Sequence, residues 1–317
     1  MTRLIFAMPS KGRLKEQTED YFADAGLPVS QIGGVRGYAA CISGLSETDV
    51  QLRSAGEISR GVIAGDCHLG VTGLDLLHET SDRLEETVRL LGPLGFGFAN
   101  LVVAVPNAWV DVSTMADLDD VAARFERKHG RRLRVATKYL RQTQAYFDAC
   151  GVGHYRIVES AGATEGAPAA GSAEVVVDIT TTGATLAGNG LKILSDGIIL
   201  KSQAYLVASL SRQWPQTALE QVERLLLALD ARAEARRSVI LSFDPECSQR
   251  LSAATLGGVG EQVGPGAVVC PQTKAQSVAQ GLAREIGSPV RVQNCEFLYR
   301  EASERFAALK QAIEARA

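Results

Sequence analysis

The chain has 317 residues, 46% of them hydrophobic and 22% charged, with a net charge of −3. That length supplies two or three domains with ample core, and the slightly acidic balance excludes a general nucleic-acid binder. No apolar run reaches membrane-spanning length, and six scattered cysteines without a C-x-x-C pair indicate neither a zinc site nor a disulfide framework.

Taken in chain order, Met1–Pro9 lacks a small-residue cleavage site behind an apolar core, so it is not expected to be a signal peptide, and the expected setting is cytoplasmic. Leu4–Met8 reads as a buried strand stopped by Pro9. Ser10-Lys11-Gly12-Arg13-Leu14 then leads into a helix that Gly26 ends near Ala25. Glu57–Ala64 is expected to be a short helix with Ile58, Val62 and Ile63 inward. Cys67–Thr72 is expected to be a strand that exits at Gly73, and Asn100–Val105 a strand stopped by Pro106.

A second set follows: a helix over Asp117–His129, a strand over Leu133–Thr137, a helix over Arg141–Cys150 and a strand over Arg156–Val158. Glu165–Gly171 is expected to be a short helix and Val175–Ile179 a central strand. Ile198–Ser209 reads as one long strand returning to the first unit. Alternating strands and helices predict two α/β lobes, with chain crossings near residues 106 and 195 and a ligand cleft between the lobes. The expected division is 1–106 with 196–212, then 107–195, then 213–317. In the last part Trp214–Arg237 is one helix with a stripe of Ala218, Val222, Leu225, Leu226 and Leu229. After Ser238 come strands at Val239–Phe243, Ala267–Cys270 and Pro289–Asn294. Gly-rich loops fall at Gly257–Gly260 and Gly264–Gly266, and a closing helix is expected from about Phe297.

The segment that carries most chemistry is Val175–Leu186. A β-branched strand delivers Asp178, then Thr180, Thr181, Thr182, Gly183, Ala184 and Thr185. A strand that ends in hydroxyls and a glycine ahead of a helix start is built to cradle an anion. A carboxylate beside phosphates would repel them, unless it binds the hydroxyls of a sugar or a metal shared with the phosphates. The combination therefore reads as a cradle for a phosphorylated ribose, and its plain rival is a buried strand ending in a Thr-rich turn.

Four segments together resemble the ATP phosphoribosyltransferases that begin histidine biosynthesis. They are Ser10–Leu14; Leu69-Gly70-Val71-Thr72-Gly73; Val135-Ala136-Thr137-Lys138-Tyr139; and Glu165-Gly166-Ala167-Pro168 running on to Asp178–Leu186 and Gly188–Leu191. The resemblance implies an α/β fold, with a two-lobed catalytic core like that of periplasmic binding proteins and a small C-terminal α+β domain of ferredoxin-like order. It implies transfer of phosphoribosyl from phosphoribosyl pyrophosphate to N1 of ATP with Mg2+ assisting. It also implies a dimer or hexamer of the chain, histidine as a feedback inhibitor, and in shorter members a separate regulatory subunit. By resemblance Lys11, Arg13, Arg53 and Glu165 serve catalysis. Asp178 and Thr180–Thr185 hold the donor, and Gly73, Asp75, Lys138 and Tyr139 lie on the ATP side. No protein metal ligand is assigned.

Each residue also has a plainer reading. Lys11 and Arg13 are also consistent with solvated charges at a helix start, Arg53 with a surface ion pair, Asp75 with a helix cap and Tyr139 with a packed aromatic. His68, His78, His129 and His154 lack a paired acid or nucleophile and read as structural, and Cys150 and Cys270 as core residues. Two other functions fit the pattern: a two-lobed binding or sensor protein, and a phosphoribosyltransferase with another acceptor. The absence of G-x-G-x-x-G after a strand disfavours a dinucleotide enzyme.

Overall fold

The computed structural model describes residues 3–33, 37–160, 162–250 and 260–316. Among these residues the first sheet holds β1 (Leu4–Pro9), β2 (Val29–Ile32), β3 (Ala39–Ile42), β4 (Thr48–Arg53), β5 (Leu69–Gly73), β6 (Val88–Pro93) and β12 (Ala204–Ser209). Their order is β2-β3-β4-β1-β5-β12-β6, with β1 parallel to β4 and β5. The second sheet holds β7 (Ala99–Pro106), β8 (Leu133–Thr137), β9 (Tyr155–Glu159), β10 (Val175–Thr180) and β11 (Leu191–Ser202), in the order β11-β7-β10-β8-β9.

Helices cover these sheets because their apolar positions recur at helical spacing. In the first lobe are α1 (Gly12–Asp24), α2 (Ala55–Ala64), α3 (Leu74–Thr80) and α4 (Leu84–Thr87). In the second are α5 (Met115–His129), α6 (Leu140–Ala149) and α7 (Ala184–Gly188). Local signals fix several ends. Capping boxes, Ser54 with Glu57 and Thr114 with Asp117, open α2 and α5. The long α8 (Gln216–Arg237) buries Ala218, Val222, Leu225, Leu226 and Leu229 against Phe6, Met8, Leu69 and Val71 of the first sheet. At about 1.5–3 kcal/mol for each large apolar side chain removed from water, this helix belongs to the core of the first lobe. The second core joins Leu101, Val103 and Val105 of β7 to Leu118 and Ala122 of α5, Phe147 of α6, and Val175 and Val177 of β10.

Two expectations about chain crossings need correction. Ile198–Ser209 is not one strand: β11 ends at Ser202 in the second sheet, and β12 begins at Ala204 in the first. Likewise β7 lies in the second sheet, antiparallel to β10 and β11. The chain therefore crosses between Pro93 and Ala99 and again at Gln203, not near 106 and 195. A strand as apolar as Leu101–Val105 of β7 suits either sheet, and only its long-range partners decide which. The two crossings run side by side and bind each other. Leu94 N–H donates to Ala204 O at 2.9 Å, Ala204 N–H to Phe96 O at 2.9 Å, and Gly95 N–H to Gln203 Oε1 at 3.2 Å.

The third unit has a sheet of β13 (Ser238–Ser242), β14 (Glu261–Gly264), β15 (Ala267–Pro271) and β16 (Arg291–Gln293), in the antiparallel order β14-β15-β13-β16. With α9 (Ala275–Ile286) crossing from β15 to β16, this is the strand order of a ferredoxin-like split βαβ sheet. Its core is Val239, Leu241, Val268, Cys270, Val278, Leu282 and Ile286. The expected loop at Gly257–Gly260 lies, up to Val259, outside the described residues. The last helix, α10, spans Glu304–Glu314 with Ser303 as its N-cap, so it begins later than Phe297. It does not close the third unit. Phe306, Leu309 and Ile313 pack into the core of the first lobe, and β16 is the closing strand of the third sheet.

Candidate active site

The C-terminal ends of β1, β5, β8 and β10 and the two crossings surround a cleft of about 560 Å³ between the lobes. Ligands bind at this position in open α/β sheets, because the strand ends there release the chain into loops. Arg13, Gln17, Gly73, Asp75, Phe96, Phe98, Lys138, Tyr139 and Thr181 are among its lining residues.

Asp75 follows β5 in the first turn of α3 and is 5% exposed. Both of its carboxylate oxygens are satisfied. Tyr139 Oη donates to Oδ2 at 2.7 Å, and Ser202 Oγ donates to Oδ1 at 2.8 Å while accepting the Asp75 N–H at 2.9 Å. Gly73 is required by close approach, since a Cβ there would overlap Asp75 Oδ1. Tyr139 is 1% exposed, and burial followed by the Asp75 charge raises its phenol pKa well above the ordinary value. The two residues thus form a buried joint between lobes, beyond both the helix cap and the packed aromatic read from sequence. Lys138, the preceding residue, holds Nζ 5.0 Å from the centroid of the Tyr139 ring.

Asp178 sits near the end of β10. Burial raises its carboxyl pKa above the usual range, and Glu165 pushes in the same direction. The N–H of Ile179 at 2.8 Å, the Lys138 charge and the Thr164 hydroxyl oppose the rise. Glu165 therefore faces Asp178, although not from a helix reaching Gly171. Thr164–Gly166 is a single 3-10 turn, followed by turns that Gly171 N–H closes on Pro168 O at 3.1 Å. Two glycines and a proline in seven residues leave too little helix propensity to propagate.

The loop after β10 folds on its own hydroxyls. Thr180 Oγ1 accepts the Gly183 N–H at 2.8 Å, and Thr182 Oγ1 accepts the Ala184 N–H at 3.3 Å. Thr181 Oγ1 donates to Phe98 O on the crossing at 2.8 Å. Gly183 has φ +77°, a left-handed conformation that costs glycine nothing, and Ala184 opens the one-turn α7 with Thr185 exposed beside it.

The basic residues of the first lobe divide. Arg13 lines the interlobe cleft. Lys11 and Arg53 line a second, open cleft of about 1190 Å³ on the first lobe, with Gln31, Gln51, Glu57 and Arg60. Arg53 Nη2 there donates to Gln51 Oε1 at 2.6 Å. Residues close in the chain line the two clefts: Lys11 and Ser54 the open one, Arg13 and Ala55 the interlobe one. Sequence reasoning missed Ser202, Gln142 and Glu79, which act only through residues far away in the chain. The alternating Gly95-Phe96-Gly97-Phe98 is a visible signal of the crossing that lines the cleft. His68 is structural, as expected: Nδ1 accepts the Ile5 N–H at 2.9 Å, and Nε2 lies 3.2 Å from both Gln213 O and Arg212 Nε.

The model of the HisG family, ATP phosphoribosyltransferase, matches residues 54–231. The ATP phosphoribosyltransferase of Caulobacter vibrioides is 50% identical over 98% of this chain and 99% of its own. The chain belongs to the ATP phosphoribosyltransferase family. That of Bradyrhizobium diazoefficiens is 46% identical over 96% of this chain and 97% of its own. Among solved structures, the ATP phosphoribosyl transferase (HisG:HisZ) complex from Thermotoga maritima is similar, with a TM-score of 0.55 and 26% identity over 72% of this chain and 96% of that one. As a member of a pentosyltransferase family, the protein is an enzyme, and its interlobe cleft is the candidate active site. No helix of the described residues is long and apolar enough to cross a membrane.

Proposed function

We propose that the interlobe cleft carries out the reaction of the ATP phosphoribosyltransferases, the first step of histidine biosynthesis. Adenine N1 of ATP attacks the anomeric carbon of phosphoribosyl pyrophosphate, the bond to pyrophosphate breaks, and phosphoribosyl-ATP forms. The observation that carries this reading is the half-buried Asp178 at the head of the threonine loop, opposed by Lys138 and lying beside a cleft that Arg13 lines from the other lobe. Asp178 holds the ribose hydroxyls, and the Thr180–Thr185 loop receives the 5-phosphate on backbone and hydroxyl donors. To do so it exchanges the internal bonds of Thr180 and Thr182 for bonds to the phosphate. Arg13 and Lys138 balance the charge of two anionic substrates and of the leaving pyrophosphate. Lys11 and Arg53, in the second cleft, extend this basic surface toward the phosphates. Adenine N1 already carries a lone pair, so no general base is needed.

Among the described residues, no three His, Cys, Asp or Glu side chains group to hold a metal. The pair Asp178 and Glu165 nonetheless suits Mg2+, which takes one or two protein carboxylates and its other ligands from substrate phosphates. When bound, Mg2+ would neutralise the pyrophosphate as it leaves.

Incubating the protein with ATP, phosphoribosyl pyrophosphate and Mg2+ should give the ultraviolet change of an N1-substituted adenine. Pyrophosphate release with another base but not with ATP would assign a different acceptor, and binding without turnover would make this a sensor. The same reading includes a cytoplasmic setting, a homo-oligomer of dimer or hexamer size, and histidine as an inhibitor acting through the third unit. A separate regulatory subunit belongs to it only if the chain proves inactive alone. Initial rates of the full chain with millimolar histidine test the inhibition. Truncation near Arg212 is unsuitable, because it removes α8 and α10 from the core of the first lobe.

A further inference from the structure

The helices α3 and α6 meet across the lobe boundary, and the start of α6 is capped from the wrong lobe. Tyr139, its N-cap residue, makes no side-chain cap hydrogen bond. The first turn of any helix leaves N–H groups without intrahelical partners. Here Glu79, in the last turn of α3, takes two of them: Oε1 accepts the Arg141 N–H at 3.0 Å and Oε2 the Gln142 N–H at 3.2 Å. Gln142 Nε2 completes the contact, donating to Asp75 O at 2.9 Å with Glu79 Oε2 3.4 Å away. Asp75 and Glu79 are four residues apart on one face of α3, so a single face of a first-lobe helix grips the start of a second-lobe helix. The carboxylate also meets the positive end of the α6 dipole.

The two residues immediately before α6 are Lys138 and Tyr139, both of which line the interlobe cleft. Their backbone leads directly into the turn that Glu79 caps. We propose that Glu79 is a positioning residue of the transferase. By capping α6 across the lobe boundary it fixes where Lys138 stands opposite Asp178 and where Tyr139 meets Asp75. Glu79 itself lies outside the residues that line the cleft, is only half-buried, and is not part of a hydrophobic core. Its contribution is therefore orientation, carried by hydrogen bonds that join elements of different lobes. Near the same boundary, Arg141 also pairs with Asp82 at 3.4 Å, but with an Asp82 side chain that is 73% exposed. Such a pair adds little.

The kinetic half of this inference rests on the proposed reaction, and the structural half does not. The test compares the full-length wild type with Glu79→Ala, Glu79→Gln and Asp82→Ala. Hydrogen exchange of the Arg141 and Gln142 amides should be at least about fivefold faster in E79A, intermediate in E79Q, which keeps one acceptor oxygen, and unchanged in D82A. With ATP and phosphoribosyl pyrophosphate, E79A should lose about tenfold in kcat/KM for ATP, mainly through KM, with partial rescue in E79Q and none needed in D82A. Unchanged exchange at the two amides overturns the cap. Faster exchange or a lower Tm with KM for ATP within twofold of wild type overturns the positioning role. A wild type without turnover counts against the proposed reaction alone, and the exchange result then still decides whether Glu79 holds α6.

Discussion

The Tyr139 hydroxyl donates to Asp75 Oδ2 at 2.7 Å, and this bond joins a helix of one lobe to the entry of a helix in the other. Neither group is open to water: Asp75 is 5% exposed and Tyr139 is 1% exposed. The pair sits beside Gln203, where the chain returns to the first lobe, so it ties the two lobes together at that crossing. Removing the phenol oxygen leaves a buried carboxylate short of a donor. Tyr139→Phe should destabilise the protein by about 1–3 kcal/mol, read as a lower urea midpoint with unchanged m-value. An unaffected midpoint would mean that water replaces the phenol.

Gly73 faces the same carboxylate. A methyl group there overlaps Asp75 Oδ1, the oxygen that Ser202 bonds at 2.8 Å. Gly73→Ala should cost about 1–3 kcal/mol through overpacking and displacement of Asp75, and it should lower kcat/KM for ATP. Gly153→Ala, where a Cβ meets nothing within 4 Å, is the control with little effect.

Asp178 carries opposite costs for stability and for chemistry. Burial, aided by Glu165, raises its folded-state pKa above 3.8 against the pull of the Ile179 N–H, Lys138 and Thr164. A raised carboxyl contributes stability that is complete below the unfolded pKa and is lost as pH rises through the folded one. Asp178→Asn should therefore raise Tm at pH 7 while lowering kcat/KM for phosphoribosyl pyrophosphate by about ten- to hundredfold, the worth of hydrogen bonds to a charged group. Glu165→Gln, which removes the like charge, should move the acidic limb of the kcat/KM profile to lower pH. A limb that stays in place would mean that another group sets it.

His68 makes the fold sensitive to mild acid. Burial first, then the Arg212 charge, lowers its pKa from 6.5 to about 4, against the pull of the Gln213 carbonyl. The unfolded chain binds a proton here before the folded one does. The stability contributed is thus complete above pH 6.5 and is lost progressively toward about pH 4. Between pH 7 and pH 5 the wild type should lose about 1–2 kcal/mol from this group. His68→Gln, which does not titrate, should be less stable at pH 7 but lose less over the same interval. Parallel losses in both proteins would remove His68 as the cause.

The α/β class, most of the strands and helices, and the hydroxyl-rich turn that follows Asp178 were legible in the sequence. Those signals are local: the period of apolar residues, capping residues, glycines after helices, and a carboxylate followed by hydroxyls. Gly183 takes its left-handed conformation for a reason written in its own missing side chain. Whatever depends on a partner far along the chain was settled by tertiary packing. The strand β7 reads the same in either sheet, and its pairing with β10 and β11 puts the crossings between Pro93 and Ala99 and at Gln203. The last helix carries an ordinary apolar stripe, yet it fills the first lobe rather than the third unit, because burial there depends on the surface left open by α8. Arg13 and Arg53 are equally basic in the sequence, but the ends of β1 and β4 deliver them to different clefts. Glu79 shows the limit most plainly: nothing in its neighbourhood marks it, and its role rests on two N–H groups more than sixty residues away.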